Sequence, residues 1–257
     1  MSRSSKGSFD GGMMEVIQNR KWLVKRSPYK HAIVTDLLEK QQLALLTENF
    51  RRRISSNAAA SKVNNYDANI VPLKSVDRGA FAPFLDVEWL QLIARAMGLR
   101  ATLEIDGALH SHPPGSRSGW VHNDYNPGWF GRAATPDGMY LNDDECNYRT
   151  GKVRFDEVRP IRRMRYLTFI FYLDNPVWQP GMGGETGIYF SESQSVDRAD
   201  VFVPPLNNTM LLFECGPHSW HAFRTTSFQR NSIILWLHRD FDEARQQWPH
   251  HDPVNWT

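Results

Sequence analysis

The stretch GPHSWHAFRTTSFQR, residues 216–230, places two histidines three positions apart and closes on an arginine. A neutral imidazole is the commonest nitrogen ligand for a metal ion. On a strand the two cannot serve together, because residues an odd number apart point to opposite faces. His218 follows Gly216-Pro217, a turn signal, whereas His221 lies inside SWHAF, which has strand character. His221 is therefore the candidate ligand and His218 its neighbour at the mouth of the strand. Upstream, WVHNDYNPGW sets His122 two positions before Asp124, so on a strand an imidazole and a carboxylate project to one side. One His-x-Asp pair alone is a common accident. Joined by a histidine from a later strand, it makes two imidazoles and one carboxylate. That facial set is associated with non-haem Fe(II) oxygenases and leaves three coordination positions open.

Such ligands need a rigid frame, and the chain's second half has the character of one. From residue 101 onward, ATLEIDGALHSH, RYLTFIFYLD, TGIYF, NTMLLFEC, SWHAF and NSIILWLH read as short strands separated by Pro and Gly. The first half is helical support. HAIVTDLLEKQQLALLTENF reads as a strand entering a helix, with Asp36 and Glu39 at capping-box spacing and Leu38, Leu45, Leu46 and Phe50 on one apolar face. DVEWLQLIARAM reads as a second helix, Asp86 at its N-cap and Gly98 just past its end. Residues 55–80 show no period and are expected to be irregular. Helices first and many strands after predict a mainly β fold with supporting helices. The expected organisation is a flexible lead-in over 1–27, one domain over 28–240 (helical support 28–100, β core 101–240) and a C-terminal tail over 241–257. Residues 129–162 are polar and aperiodic, an inserted loop of the length that often serves as a lid or binding loop.

Composition narrows the function classes. Among 257 residues, 30 basic and 28 acidic side chains give a formal charge of +2, too even to suggest nucleic acid or a membrane surface as partner. No run approaches the length of a membrane span, and the N-terminus lacks the apolar core of a secretory signal. Cys146 and Cys215 are the only two cysteines and have no CxxC spacing. A disulfide framework or structural zinc is not expected, and a reducing, cytoplasmic location is.

With His122-Asn123-Asp124, RYLTFIFYLD, GGETGIYF, SWHAF and RNSIILWLH in place, the chain from about residue 28 to 239 resembles the Fe(II)/2-oxoglutarate-dependent dioxygenases, in the prolyl-4-hydroxylase-like branch. The resemblance implies a double-stranded β-helix (jelly-roll, cupin-like) core. It implies Fe(II) held by His122, Asp124 and His221, with 2-oxoglutarate and dioxygen as cosubstrates. Members place the basic residue that holds 2-oxoglutarate nine or ten positions after the second histidine, and Arg230 stands nine after His221, which again selects His221 over His218. By the same resemblance Tyr172 and Ser232 help Arg230 hold the distal carboxylate, and Thr168 and Trp236 line the cosubstrate pocket. A planar guanidinium flanked by hydroxyls suits one end of a dicarboxylate. The resemblance departs at one place: relatives often carry a tyrosine before the Pro-Gly that precedes the first ligand strand, and here that residue is Pro113, with His110 and His112 as candidate substitutes. Asp124 stands where related halogenases have Gly or Ala, so hydroxylation or another C–H oxidation is expected.

The implied reaction is hydroxylation of an unactivated C–H bond with release of succinate and CO2. The expected substrate is a small molecule such as an amino acid or biosynthetic intermediate, because the chain is modest in size and shows no basic groove. A peptide or protein substrate, including a prolyl residue, is the alternative. Two others are a cupin-like metalloenzyme that does not use 2-oxoglutarate and a non-catalytic jelly-roll binding protein. Tyr125, Trp129 and Phe130 read equally as a substrate wall or as core. Asp143, Asp144, Glu145, Arg149 and Arg154 read as a clamp for a charged substrate or as a solvated loop.

Overall fold

The computed structural model describes residues 13–56, 67–76, 78–135 and 138–254. In chain order, α1 (Met13–Val16), β1 (Val24–Lys25), β2 (His31–Val34), α2 (Lys40–Ser56), β3 (Asn69–Pro72) and α3 (Val87–Ala96) form the first half. The second half holds β4 (Thr102–His112), β5 (Pro127–Phe130), β6 (Tyr140–Leu141), β7 (Ile161–Tyr172), β8 (Thr186–Tyr189), β9 (Val201–Val203), β10 (Thr209–Glu214), β11 (Trp220–Phe223), β12 (Arg230–Asp240) and α4 (Phe241–Gln247). The larger sheet runs β1-β2-β10-β7-β12-β4-β3, with β5 added beside β7 and β6 beside β4; the smaller runs β11-β8-β9. The strands form a jelly-roll core.

Alternation along β4, β7 and β12 separates two environments. Leu109, Phe169, Phe171, Ile233 and Leu235 face the helices, where Phe84 lies 5.3 and 5.2 Å from the rings of Phe169 and Phe171 and Trp89 meets Phe169 edge-on at 6.1 Å. Burying a side chain of this size contributes roughly 1.5–3 kcal/mol, so this layer fixes the sheet and leaves its opposite face available for polar groups. α3 begins where the sequence places it: the Asp86 carboxylate accepts the amide N–H of Trp89 at 2.9 Å, and Gly98 follows the helix at φ +63.

Several expectations are corrected. Asp36 lies in a left-handed turn (φ 52) after β2, and α2 starts only at Lys40, so the capping box at Asp36 and Glu39 does not form. The tract expected to be irregular holds the end of α2, all of β3, a 3-10 turn over Leu73–Ser75 and the start of a 3-10 helix over Gly79–Leu85, while residues 57–66 and 77 lie outside the described set. In the lead-in, Val16 and Ile17 are buried in the helical core; residues 1–12 lie outside the described set. The expected tail instead forms α4 and a returning strap: Ala244 is fully buried, and the Val254 amide donates to the Tyr125 carbonyl at 2.9 Å. No described helix is long and apolar enough to cross a membrane. Cys146 and Cys215 are both buried free thiols.

Candidate active site

His122 and His221 face each other across an antiparallel bridge. The His122 amide donates to the His221 carbonyl at 3.0 Å, and the return bond is 2.7 Å. Their rings stand 4.4 Å apart. Asp124 follows two positions on, and candidate ligand atoms of the three residues lie within 4.8 Å of one another. Asn123 between them is buried and donates from Nδ2 to the Pro217 carbonyl at 3.2 Å, tying the first ligand segment to the turn that launches the second. That turn is closed by Ser219, whose hydroxyl accepts the Gly216 amide N–H at 2.9 Å. His218 sits on it, exposed, its ring 4.8 Å from that of His251.

The donor set suits a divalent transition metal. Nδ1 of His122 lies 2.8 Å from the Trp120 carbonyl and Nδ1 of His221 lies 3.0 Å from the Ser219 carbonyl. A carbonyl can only accept, so Nδ1 carries the proton in each ring and Nε2 keeps the lone pair a metal requires. Burial, aided by the neighbouring His221, lowers His122 to about 4 and keeps it neutral. Burial pushes the Asp124 carboxyl up, but Arg165 and the two histidines overcome this and hold it well below the usual carboxylate range.

Asp124 is tightly held. Arg165 Nη1 donates to Oδ1 at 3.1 Å; the Thr168 hydroxyl and the Trp236 indole N–H donate to Oδ2 at 3.1 and 2.8 Å. Thr168 and Trp236, expected in the cosubstrate pocket, do line the cavity, but they spend their polar hydrogens on this carboxylate. Arg165 is a residue that sequence reasoning missed. It lies with its guanidinium 3.9 Å from the Trp236 ring centre and donates through Nε to the Tyr148 hydroxyl at 3.2 Å. Tyr148 in turn donates to His238 Nε2 at 2.7 Å, because His238 Nδ1 carries its proton toward the Glu104 carbonyl.

A second cluster surrounds Arg230, which is 3% exposed. Its Nε donates to the Gly184 carbonyl at 2.8 Å and its Nη2 to the Thr186 hydroxyl at 3.1 Å, while the Ser232 hydroxyl lies 3.5 Å from Nη1. The guanidinium is flanked by the rings of Tyr172 and Phe223 at 5.1 and 4.9 Å. The Tyr172 hydroxyl lies 2.7 Å from that of Thr186, so Thr186 joins the expected group of Tyr172, Arg230 and Ser232. All these acceptors are neutral oxygens. A buried guanidinium so arranged fits the carboxylate of a bound acid. His112 stacks on Phe223 at 4.3 Å opposite Arg230 in register, and His110 is opposite Ser232; these imidazoles occupy the corner where Pro113 left a question. Burial and Arg230 hold both neutral, His110 at about 3.

Both clusters open into one cavity of about 1290 Å³. Tyr125, Trp129 and Phe130 do not line it. Tyr125 is next to Asp124 and so points the other way, its hydroxyl donating to the Ala244 carbonyl at 3.2 Å. Phe130 is fully buried against His238, and Trp129 packs under Gly151 and Arg162. The aromatic lining is instead Trp120, Tyr148, Phe223 and Trp236. Trp129 and Phe130 belong to β5, so the loop begins after them; within it, residues 146–153 form a hairpin closed by the Cys146–Val153 bridge and laid over Gly128.

Residues 114–238 match the model of the 2OG-Fe(II) oxygenase superfamily. Solved structures that share the fold include three prolyl hydroxylases. A prolyl-4-hydroxylase from Pseudomonas putida has a TM-score of 0.55 at 17% identity, over 81% of this chain and 92% of that one. A Trichoplax adhaerens prolyl hydroxylase, in complex with a hypoxia inducible factor oxygen degradation domain peptide fragment, has 0.52 at 16%, over 84% and 86%. A viral collagen prolyl hydroxylase from Paramecium Bursaria Chlorella virus-1, as its 2OG complex, has 0.50 at 13%, over 81% and 95%. No curated protein matches the sequence.

Proposed function

We propose that this chain, whose residues 114–238 match the model of the 2OG-Fe(II) oxygenase superfamily, is a dioxygenase that uses Fe(II), 2-oxoglutarate and dioxygen to hydroxylate a C–H bond of a polar small molecule. In this reading His122, Asp124 and His221 hold the metal and Arg230 holds the far carboxylate of 2-oxoglutarate. The observation that carries it is the opening of a His-Asp-His cluster and a buried arginine into one cavity. When bound, the metal with 2-oxoglutarate and dioxygen supplies the oxidising power that converts C–H to C–OH, releasing succinate and CO2.

The protein's own groups have distinct tasks. A His122 imidazole kept neutral by burial, a His221 ring whose Nδ1 faces the Ser219 carbonyl and an ionised Asp124 carboxylate are presented together. Arg165, Thr168 and Trp236 fix the rotamer of Asp124, so its geometry is set before a ligand arrives. Thr186, Ser232 and the Gly184 carbonyl aim the Arg230 guanidinium, and the Tyr172 and Phe223 rings keep water from it. The hairpin over residues 146–153 closes one side of the cavity and brings Tyr148 to its wall, which supports a compact substrate.

A prolyl residue in a peptide is the second reading, since a neighbour of the same fold is described with a peptide fragment. The test is succinate formation from 2-oxoglutarate under Fe(II), ascorbate and air. Arg230→Ala should abolish 2-oxoglutarate binding, followed by quenching of tryptophan fluorescence, while Mn(II) binding persists. Absence of succinate and of 2-oxoglutarate binding in the metal-loaded wild type would sink the assignment.

A further inference from the structure

The inward face of β4 carries Asp106 at the level of the metal cluster and His112 at the level of Arg230. Asp106 is the register partner of Trp236, whose indole holds Asp124, and His112 is the partner of Arg230. Six residues of strand separate the two levels, about 20 Å. Asp106 therefore stands beside the metal cluster, at the far end of the cavity from the cosubstrate arginine, and it lines that cavity. Its carboxylate is oriented: Asn142 Nδ2 donates to Oδ1 at 3.2 Å, and Asn142 is itself buried, with its amide bonded to the Ile105 carbonyl at 2.9 Å.

Its surroundings leave this carboxylate short of positive charge. No described cation comes within ion-pair distance of it; Arg165 is engaged with Asp124, and Lys74 with Asp144 at 2.8 Å. Burial raises the Asp106 pKa even though Arg165, the hydrogen bonds from Asn142 and the Gly107 backbone, and Lys74 all pull it down. Opposite charge stands on the hairpin. Arg149, Lys152 and Arg154 line the same cavity, and none forms an ion pair among the described residues.

We propose that the substrate is a small zwitterion of the amino-acid type, its ammonium group taken by Asp106 and its acid group by Arg149, Lys152 and Arg154. The proposal rests on the hydroxylase reading above and adds the substrate class. An anchored carboxylate facing a cavity completes its bonding with a charged donor, and charge-assisted hydrogen bonds are the strong ones. Cations on the opposing hairpin steer the acid end and set the orientation of the molecule. An interior prolyl residue brings neither charge, so this arrangement discriminates against it.

The experiment uses the Fe(II)-loaded full chain, reading succinate and oxygenated product with the proteinogenic L-amino acids, their N-acetyl derivatives and their carboxamides as probes. At least one free amino acid should stimulate turnover, with its N-acetyl derivative and carboxamide about 100-fold weaker in kcat/KM. Asp106→Asn should lose the preference for the free amine over the N-acetyl derivative. The exposed pair Arg149→Glu/Lys152→Glu should raise KM for the acid but not for its carboxamide. Stimulation by N-acetyl derivatives equal to that by free amino acids, no stimulation by any free amino acid, or an unchanged preference in Asp106→Asn overturns the proposal. Selectivity within the wild type answers the question even if a variant misfolds. Uncoupled succinate release by the wild type, measured without any amino acid, reports separately on the hydroxylase reading.

Discussion

Replacing Arg165 with Met keeps a stem of similar length over Trp236 but removes the charge from Asp124. The ion pair has an N–O distance of 3.1 Å, with the side chains 12% and 8% exposed. At an effective dielectric of 20, charges at that distance attract by about 5 kcal/mol. The bonds from Thr168 and Trp236 to Oδ2 survive, so the expected net loss in metal-free protein is about 3 kcal/mol, at the low end for breaking a buried pair. For a domain of this size that corresponds to a melting temperature lower by about 6–12 °C. A bound divalent cation changes the outcome, because it supplies the positive charge that Asp124 has lost. With saturating Mn(II) in place of Fe(II), to prevent turnover, the deficit should shrink to less than half. Thermal melts of wild type and Arg165→Met, each with EDTA and with Mn(II), give the four numbers needed. Lost packing over Trp236 would lower both states equally, so the metal-dependent difference isolates the electrostatic part. An equal deficit with and without metal would refute the claim that Arg165 acts as the counter-charge of Asp124.

Two further outcomes follow from the packing around the site. His110 and His238 are held neutral with pKa values of about 3, by burial first and then by Arg230 and Arg165 respectively, against 6.5 in the unfolded chain. Their contribution to stability is complete above pH 6.5 and is lost as pH falls toward 3. At pH 5.5 each should cost about 1.4 kcal/mol relative to pH 8, visible as a lower urea midpoint of the metal-free protein; an unchanged midpoint would contradict their neutral burial. Gly183 lies at φ +77, and a Cβ there would fall 2.0 Å from the Thr225 carbonyl oxygen. Gly183→Ala should therefore cost about 2–3 kcal/mol and, by shifting the Gly184 carbonyl that holds Arg230, weaken 2-oxoglutarate binding in the same fluorescence titration.

Much of the site was legible because strand parity and local spacing carry it. His122 and Asp124 share a face by a separation of two, and His221 was separated from His218 by one turn signal and by its distance to Arg230. Both rules are local, and the fold leaves them intact. The chain therefore determined, by itself, the strand-rich second half, the cap of α3 and a His-Asp-His set with an arginine nine residues on. Parity also explains the errors. Tyr125 was grouped with the site by proximity in sequence, yet adjacency to Asp124 turns it into the core. Arg165 was invisible for the opposite reason. Counting back from Tyr172 and Thr168 puts even positions of β7 on the cavity side and Arg165 outside. A register shift in the pairing with β12, where Leu237 faces Leu167 but His238 faces Arg165, inverts the phase and aims Arg165 inward. A bulge of this kind depends on how three strands of different length close against each other, which no single segment encodes. The same holds for Asp106, whose partner Asn142 follows β6, and for Tyr148, which reaches His238 across 90 residues. The sequence determined which groups could bind metal and cosubstrate; the tertiary structure alone decided what holds them in place and what charge the remaining cavity presents, because those contacts join segments whose separation along the chain is unrelated to their distance in space.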